Sequence, residues 1–307
     1  MSAVEIDQVS RWFGNVVAVN DITMRLDAGV TGLLGPNGAG KSTLIHLMAG
    51  FLAPSAGTVT LDGEPVYRDP EIYRRVGLVP EREEMYDAVN GWSFVLANAR
   101  LHKLRDPESA ARRAIATVEM ADSQHRDIRG YSKGMKQRIK MATAIVHDPA
   151  VLLLDEPFNG MDPRQRLHLM ELLDRLGAEG RTIVFSSHIL EEVEQIAGRI
   201  EVMVAGRHAA SGDFREIRRL MTQRPHQYTI QSSDDRALAS ALIAQPSVSG
   251  VELTSGTDGS IVAVQATDFA AFVHALPRVA AREGIRLLEV RPADESLESV
   301  FAYLVAR

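Results

Sequence analysis

The sequence predicts two successive folds. The first is an α/β domain on a mostly parallel sheet with a helical subdomain, and the second is a small α+β domain of ferredoxin-like type. Three observations carry this. Val151–Leu154 is a continuous apolar run, the pattern of a central parallel strand buried on both faces. Around it, apolar strand segments alternate with helical periodicity, as βαβ units require. Beyond Pro225 the order becomes βαββαβ, in a stretch that contains no lysine and carries more acids than arginines.

In chain order, Val4–Val9 and Ile22–Leu26 alternate as strands, and Val30–Leu34 reads as a buried strand running into a glycine loop. An apolar helix, Leu44–Ala49, follows and ends at Gly50; Thr58–Leu61 and Val76–Val79 are further strands. From Trp92 to about Asp127 the spacing is helical, with Pro107 at a helix start, and a second helix follows Ser132. Helix Pro163–Leu176, strand Thr182–Phe185, helix Ile189–Ala197 and strand Ile200–Val204 complete the first domain. Its predicted extent is 1–220, with the helical subdomain at about 85–147. The polar, basic stretch Arg215–Arg224, closed by Pro225, is the expected linker, and 226–307 forms the second domain. There the expected elements are strand Gln227–Gln231, helix Asp234–Gln245 and a hairpin of Val248–Leu253 with Ser260–Gln265. Helix Thr267–Glu283, broken near Pro277, strand Ile285–Val290 and a closing amphipathic helix Ser296–Val305 follow.

Composition narrows the function classes. The 307 residues are 45% hydrophobic and 24% charged, enough to bury a sizeable core. A formal charge of −6 gives no basic footprint, which argues against nucleic acid as a partner. Cysteine is absent, so disulfides and thiolate metal sites are excluded. Met1–Asp7 carries acids where a signal peptide needs basic and then apolar residues, and no run approaches about 18 apolar residues. The expectation is a cytoplasmic chain.

The glycine loop Gly35-Pro36-Asn37-Gly38-Ala39-Gly40-Lys41-Ser42-Thr43 lies between strand and helix. Its backbone N–H groups and the positive end of the following helix suit phosphate oxygens, with Lys41 reaching the outer phosphates and the Ser42 hydroxyl ligating Mg²⁺. Asp155 and Glu156 follow the apolar strand Val151–Leu154. Adjacent carboxylates there suit metal and water chemistry: Asp155 as a direct or outer Mg²⁺ ligand, Glu156 to polarise an attacking water. His188, after strand Thr182–Phe185, is placed to hydrogen-bond a terminal phosphate, although a lone strand-end histidine is more often structural. The other histidines, among them His46, His102 and His147, read as structural. Ser132-Lys133-Gly134 at a helix start makes a second anion cradle, with Ser132 as N-cap and Gly134 exposing its amide. One phosphate group needs one cradle; a second in the same chain points to two chains sharing a nucleotide.

With these motifs in this order, residues 1 to about 220 resemble the ATP-binding subunits of ABC transporters, of the type serving ABC-2-class exporters. The resemblance makes Gly35–Thr43 the Walker A loop of a P-loop NTPase, Val151–Glu156 the Walker B strand with Glu156 as catalytic base, and His188 the switch histidine. It makes Tyr131–Gln137 the signature motif, Asn159–Asp162 the D-loop at a dimer interface, and Phe13 an aromatic stacked on adenine or packed locally. The sequence departs from the family pattern at Tyr131, Lys133 and Met135, at Glu81 where the Q-loop glutamine falls, and at Asn159-Gly160. Glu81 can meet Mg²⁺ or the attacking water, and its presence fits the ABC-2 type. Lys133 either adds charge near the terminal phosphate or points to solvent. Met85, Tyr86 and Trp92 either line a groove for the membrane partner or pack locally.

The resemblance implies a homodimer, or a heterodimer with a related ATPase subunit, around two ATP–Mg²⁺. Its partner is then an integral-membrane permease, and the subunit is peripheral on the inner face of the cell membrane. The acidic runs Glu81–Glu84 and Glu191–Glu194 are expected to be solvated faces. A non-transport ATPase of the same family acting on ribosome or DNA is the alternative; those usually carry two cassettes or a long coiled coil, and neither is present. The domain at 226–307 senses a ligand, strengthens the dimer or braces the cassette.

Overall fold

The computed structural model describes residues 2–81, 85–213, 215–217, 226–256 and 259–292, in two compact units, 1–214 and 215–307. The first unit starts with β1 (Val4–Phe13), β2 (Val16–Leu26) and β3 (Gly29–Leu34), then α1 (Lys41–Met48), β4 (Ala56–Leu61), the two-residue β5 (Glu64–Pro65) and β6 (Val76–Val79). Three helices follow, α2 (Gly91–Leu101), α3 (Pro107–Thr117) and α4 (Lys133–Ile145). The unit closes with β7 (Val151–Leu154), α5 (Pro163–Ala178), β8 (Thr182–Ser187), α6 (Leu190–Ile196), β9 (Arg199–Val204) and β10 (Arg207–Gly212).

Two sheets share this unit. β2-β1-β4-β5 is antiparallel, and β10-β9-β3-β8-β7-β6 is parallel throughout except at its β10 edge. Val151–Leu154 is fully buried in the parallel sheet, between β6 and β8, as its unbroken apolar run predicts. A core of Ile6, Ile22, Leu33, Leu44, Ile45, Leu47, Leu61, Leu153 and Met203 fills the space between α1 and the two sheets.

Local signals set the helix starts. Asn90, Asp106, Ser132 and Asp162 each accept a backbone N–H from the residue three positions on, capping α2, α3, α4 and α5, and Pro107 and Pro163 open their helices. β10 escapes sequence reading because Arg-His-Ala-Ala-Ser-Gly lacks the β-branched and aromatic residues of a strand. It is held as the return arm of a hairpin whose turn, Ala205-Gly206, has positive φ at both residues (48° and 78°), and it pairs with β9.

The second unit comprises β11 (His226–Ser232), α7 (Asp235–Leu242), β12 (Val248–Gly256), β13 (Gly259–Ala266), α8 (Phe269–Arg282) and β14 (Leu287–Pro292). The strands pair antiparallel in the order β12-β13-β11-β14, the ferredoxin-like topology. Leu238, Leu242, Phe272, Leu276 and Val279 from the helices pack with Ile230, Val262 and Val264. The break expected at Pro277 is absent: α8 runs through it. Pro277 lies on the exposed face, where water can satisfy the carbonyl its ring leaves free, while Phe272, Leu276 and Val279 stay packed on the buried side. The linker Arg215–Arg224 falls mostly, and the closing helix Ser296–Val305 wholly, outside the described residues.

His102 and His147 stack in the first unit with ring centroids 3.8 Å apart. The Nε2 of His147 lies 3.2 Å from the Val76 carbonyl, and its Nδ1 is buried without a hydrogen-bond partner. Burial, and then the neighbouring His102, push the pKa of His147 down to about 4 from 6.5. The unfolded chain therefore takes up a proton at higher pH than the folded one. The stabilisation is complete above about pH 6.5 and is lost as pH falls from there toward about 4. Discounted for partial solvent screening, it amounts to about 1–2 kcal/mol. In urea unfolding, His147→Gln, which keeps a donor for Val76, should lose less stability than the wild type between pH 7.5 and 4, by about that amount.

Candidate active site

β3, β8 and β7 lie side by side and parallel, so their C-terminal ends open on one edge of the sheet. Each end delivers part of the site: β3 the loop Gly35–Gly40, β7 Asp155 and Glu156, and β8 Ser187 and His188. Crevices at the carboxyl ends of parallel strands are the usual location of ligands in such sheets.

The loop requires glycine at specific points. A Cβ on Gly35 would stand 2.3 Å from the Met203 carbonyl oxygen, and one on Gly40 2.3 Å from that of Ala18. Gly40 caps α1 in the left-handed conformation, φ 97°, and uses no side chain to do so. The N–H groups of the first helical turn thus stay available to an anion. Asn37, Gly38, Ala39, Gly40, Lys41, Ser42 and Thr43 line an open cleft of about 940 Å³ together with Val16, Val17, Ala18, Glu81 and Glu156. Lys41 is buried, its Nζ donating to the carbonyls of Gly35 (2.7 Å) and Pro36 (3.2 Å).

Glu156 stands against that lysine, Oε1 at 3.4 Å from Nζ, with both side chains less than a tenth exposed. Its other oxygen, Oε2, lies 3.0 Å from His188 Nδ1. Oε1 is buried and accepts no hydrogen bond: the lysine is at ion-pair distance but poorly aligned. Burial pushes the Glu156 carboxyl above its ordinary range, against the opposing pull of Lys41 and then His188. The backbone of Glu156 has φ 47°, a strained conformation for a side chain of this size. Ser186 holds it there, its hydroxyl accepting the Glu156 N–H (2.8 Å) and donating to Asp155 Oδ1 (2.7 Å). Asp155 is 2% exposed and lies behind the cleft rather than in its lining.

The second cradle is elsewhere. Ser132 caps α4, accepting the Met135 N–H at 3.2 Å, and neither it, Gly134 nor Asp162 lines the Lys41 cleft. The Gln165 side chain lies over Gly134, and the Lys133 stem lies across Gly160 in the loop that Asp162 closes. Tyr131, one of the departures, is buried; its hydroxyl donates to the Ser123 carbonyl (2.6 Å), tying the start of α4 into the helical region. Phe13 is exposed, with the Arg11 guanidinium 4.5 Å above its ring, and the cleft is lined on that side by Val16–Ala18 instead. Trp92 packs locally against His125 and Arg112, while Tyr86 is 77% exposed.

Sequence reasoning missed several residues. Lys140, buried on α4, donates to the carbonyls of Pro80 (2.6 Å) and Glu81 (3.4 Å); a lysine between Ile139 and Met141 on an apolar helix face was the available signal. Ser186, Ser187 and the Val16–Ala18 segment carry none. Of the acidic run Glu191–Glu194, Glu192 is not on a solvated face: it is 5% exposed, drawn inward by a hydrogen bond from the Ser187 hydroxyl and an ion pair with Arg166. Arg82–Glu84 lies outside the described residues.

A glycine cradle with a buried lysine, beside strand-end carboxylates, marks a P-loop protein that handles nucleotides. The ABC transporter family model matches residues 19–159. An uncharacterized ABC transporter ATP-binding protein of Nostoc sp. is 41% identical over 66% of this chain; the match spans 62% of that protein's length. The bacitracin transport ATP-binding protein of Enterococcus faecalis is 32% identical over 98% of this chain and 96% of its own. A solved structure of the ATP-binding subunit of an ABC transporter superposes with a TM-score of 0.64 at 28% identity, covering 70% of this chain and 92% of that one. The chain belongs to the ATP-binding subunits of ABC transporters, and it is an ATPase of that family. The ribosome- or DNA-acting alternative is not favoured. Among the described residues no helix is long and apolar enough to cross a membrane.

Ser186 gives a direct test of this architecture. Ser186→Ala leaves the buried Asp155 carboxylate one donor short and frees the strained Glu156 backbone. Unfolding free energy should fall by about 1–3 kcal/mol in urea titrations at neutral pH.

Proposed function

We propose that this chain drives an exporter: two such subunits, identical or related, close around two ATP molecules and transmit that closure to a membrane permease. The observation that carries the reading is the pair of separate cradles, one at Gly35–Thr43 and one at Ser132–Gly134, of which only the first lines the Lys41 cleft. A partner's Ser132–Gly134 and Asp162 then complete the site that this chain's loop begins. The bacitracin transport relative supports a transport role; in this reading the subunit works peripherally on the inner membrane face and has no nucleic-acid partner. We assign 1–220 to the cassette, with its helical subdomain at about 85–147, and 226–307 to a separate accessory domain.

In this reading Lys41 exchanges the Gly35 and Pro36 carbonyls for the outer phosphates of ATP. Glu156 accepts a proton from the attacking water through Oε1, the oxygen left without a donor, and burial strengthens it as a base. His188, oriented by Glu156 Oε2, donates toward the terminal phosphate. Mg²⁺ fits the donors present, Ser42 and Glu81 in the cleft with Asp155 behind, and when bound would neutralise phosphate charge. The Val16–Ala18 segment, which lines the cleft where Phe13 does not, flanks the adenine.

Glu156→Gln should keep ATP affinity, lower steady-state turnover by about a hundredfold or more, and trap an ATP-bound dimer visible by size-exclusion chromatography. An unchanged rate would remove Glu156 from the base role.

Shared sites are tested by mixing. Ser132→Arg should block hydrolysis while leaving ATP binding to the monomer intact, and Lys41→Ala should lose ATP binding. A mixed dimer of the two has one site with both lesions and one with neither. Activity recovered on mixing two inactive parents establishes a site built from two chains, because a site within one chain cannot produce it.

A further inference from the structure

Glu192, on α6, is buried with both carboxylate oxygens engaged. Oε2 accepts the Ser187 hydroxyl at 2.6 Å, and Oε1 lies 3.1 Å from Arg166 Nη1. Arg166 stands at the start of α5, its backbone N–H donating to the Asp162 carbonyl at 3.0 Å, within the turn that Asp162 caps. The Nε of Arg166 is buried without a hydrogen-bond partner, so the carboxylate sets the direction of the guanidinium. On the other side, the Ser187 hydroxyl accepts the Ile189 N–H at 3.0 Å and closes the turn that presents His188. His188 in turn meets Glu156 at 3.0 Å. An unbroken run of polar contacts therefore links the Asp162 loop to the histidine.

Glu192 is buried while the Arg166 side chain is 35% exposed, and burying a carboxylate is expensive unless it is paired and hydrogen-bonded. The best-attested use of such a pair is to fix the register of two elements. Here the elements are α5 and α6, and each begins next to a residue of the proposed shared site.

We propose that Arg166 and Glu192 are positioning residues for ATP hydrolysis, locking the first turn of α5 to the turn that carries His188. The Asp162 loop, facing the partner subunit, and the imidazole, facing Glu156, then reach their working places together. This rests on the reading that His188 and Asp162 serve a site shared between two chains.

The test compares the full-length wild type with Glu192→Gln, Arg166→Lys, His188→Ala and the Glu192→Gln/His188→Ala double variant. Turnover, equilibrium ATP affinity and thermal unfolding are measured for each. Glu192→Gln keeps the shape and loses the charge. It should unfold cooperatively and bind ATP within about twofold of wild type, while kcat falls by about tenfold to a hundredfold, the effect of misplacing a catalytic group. Arg166→Lys, which keeps charge but not the fork, should fall between. In the His188→Ala background, Glu192→Gln should remove less than about twofold more.

The lock is overturned if Glu192→Gln turns over within about twofold of wild type, if its loss lies in ATP affinity rather than kcat, or if that loss multiplies in full with His188→Ala. His188→Ala alone tests the earlier reading: wild-type turnover there removes the histidine from the mechanism, whereas the kcat of Glu192→Gln decides the lock. Should Glu192→Gln fail to fold, Ser187→Ala removes only the hydroxyl between carboxylate and turn. The same split between kcat and affinity is expected of it, and a kcat within about twofold of wild type overturns the proposal.

Discussion

Lys41 and Glu156 face each other out of water, 3.4 Å apart, at the point where the glycine loop meets the end of β7. Each is needed to make the other tolerable: removing one partner of a buried ion pair strands a charge at a cost of about 3–5 kcal/mol. Neither is fully satisfied. The lysine is held by two loop carbonyls, and one carboxylate oxygen accepts nothing. A phosphate entering the cradle meets a cation already desolvated and aimed, and a carboxylate whose raised pKa follows from the same burial. Binding and base strength come from one constraint.

The pair exists only because β3, β7 and β8 are neighbours. The glycine loop, the two carboxylates and the histidine come from positions far apart in the chain, and the parallel sheet brings their ends to one edge. Ser186 then supplies the fine geometry, holding Glu156 in a backbone conformation it would not otherwise keep. The same edge extends through Ser187 to Glu192 and Arg166, so a site assembled from strand ends is also tied to the helix behind the Asp162 loop.

Much of this was legible in the sequence. Gly35–Thr43, Asp155-Glu156 and Ser132–Gly134 each carry a local physical signature: backbone freedom, adjacent charge, and a helix cap. Signals of that kind survive without tertiary context. The unbroken apolar run Val151–Leu154 identified the central strand for a similar reason, since burial on both faces leaves no room for polar residues. What failed had no local signature. Glu192 looks like any acid in an acidic run, β10 lacks strand formers, and Pro277 breaks only helices whose exposed carbonyls water cannot reach.

By itself, then, the sequence determined which residues can cradle phosphate and which carboxylates stand beside them, because those capacities follow from residue type and spacing. It determined as well the alternation of strand and helix that requires a parallel sheet. Only the tertiary structure decided that Glu156 is buried against Lys41 and His188, and that Asp155 lies behind the cleft. It also decided that Val16–Ala18 line the cleft where Phe13 does not, and that Glu192 turns inward to Arg166. The reason is that burial and partner choice depend on which strands and helices become neighbours, a non-local property that no stretch of a few residues contains.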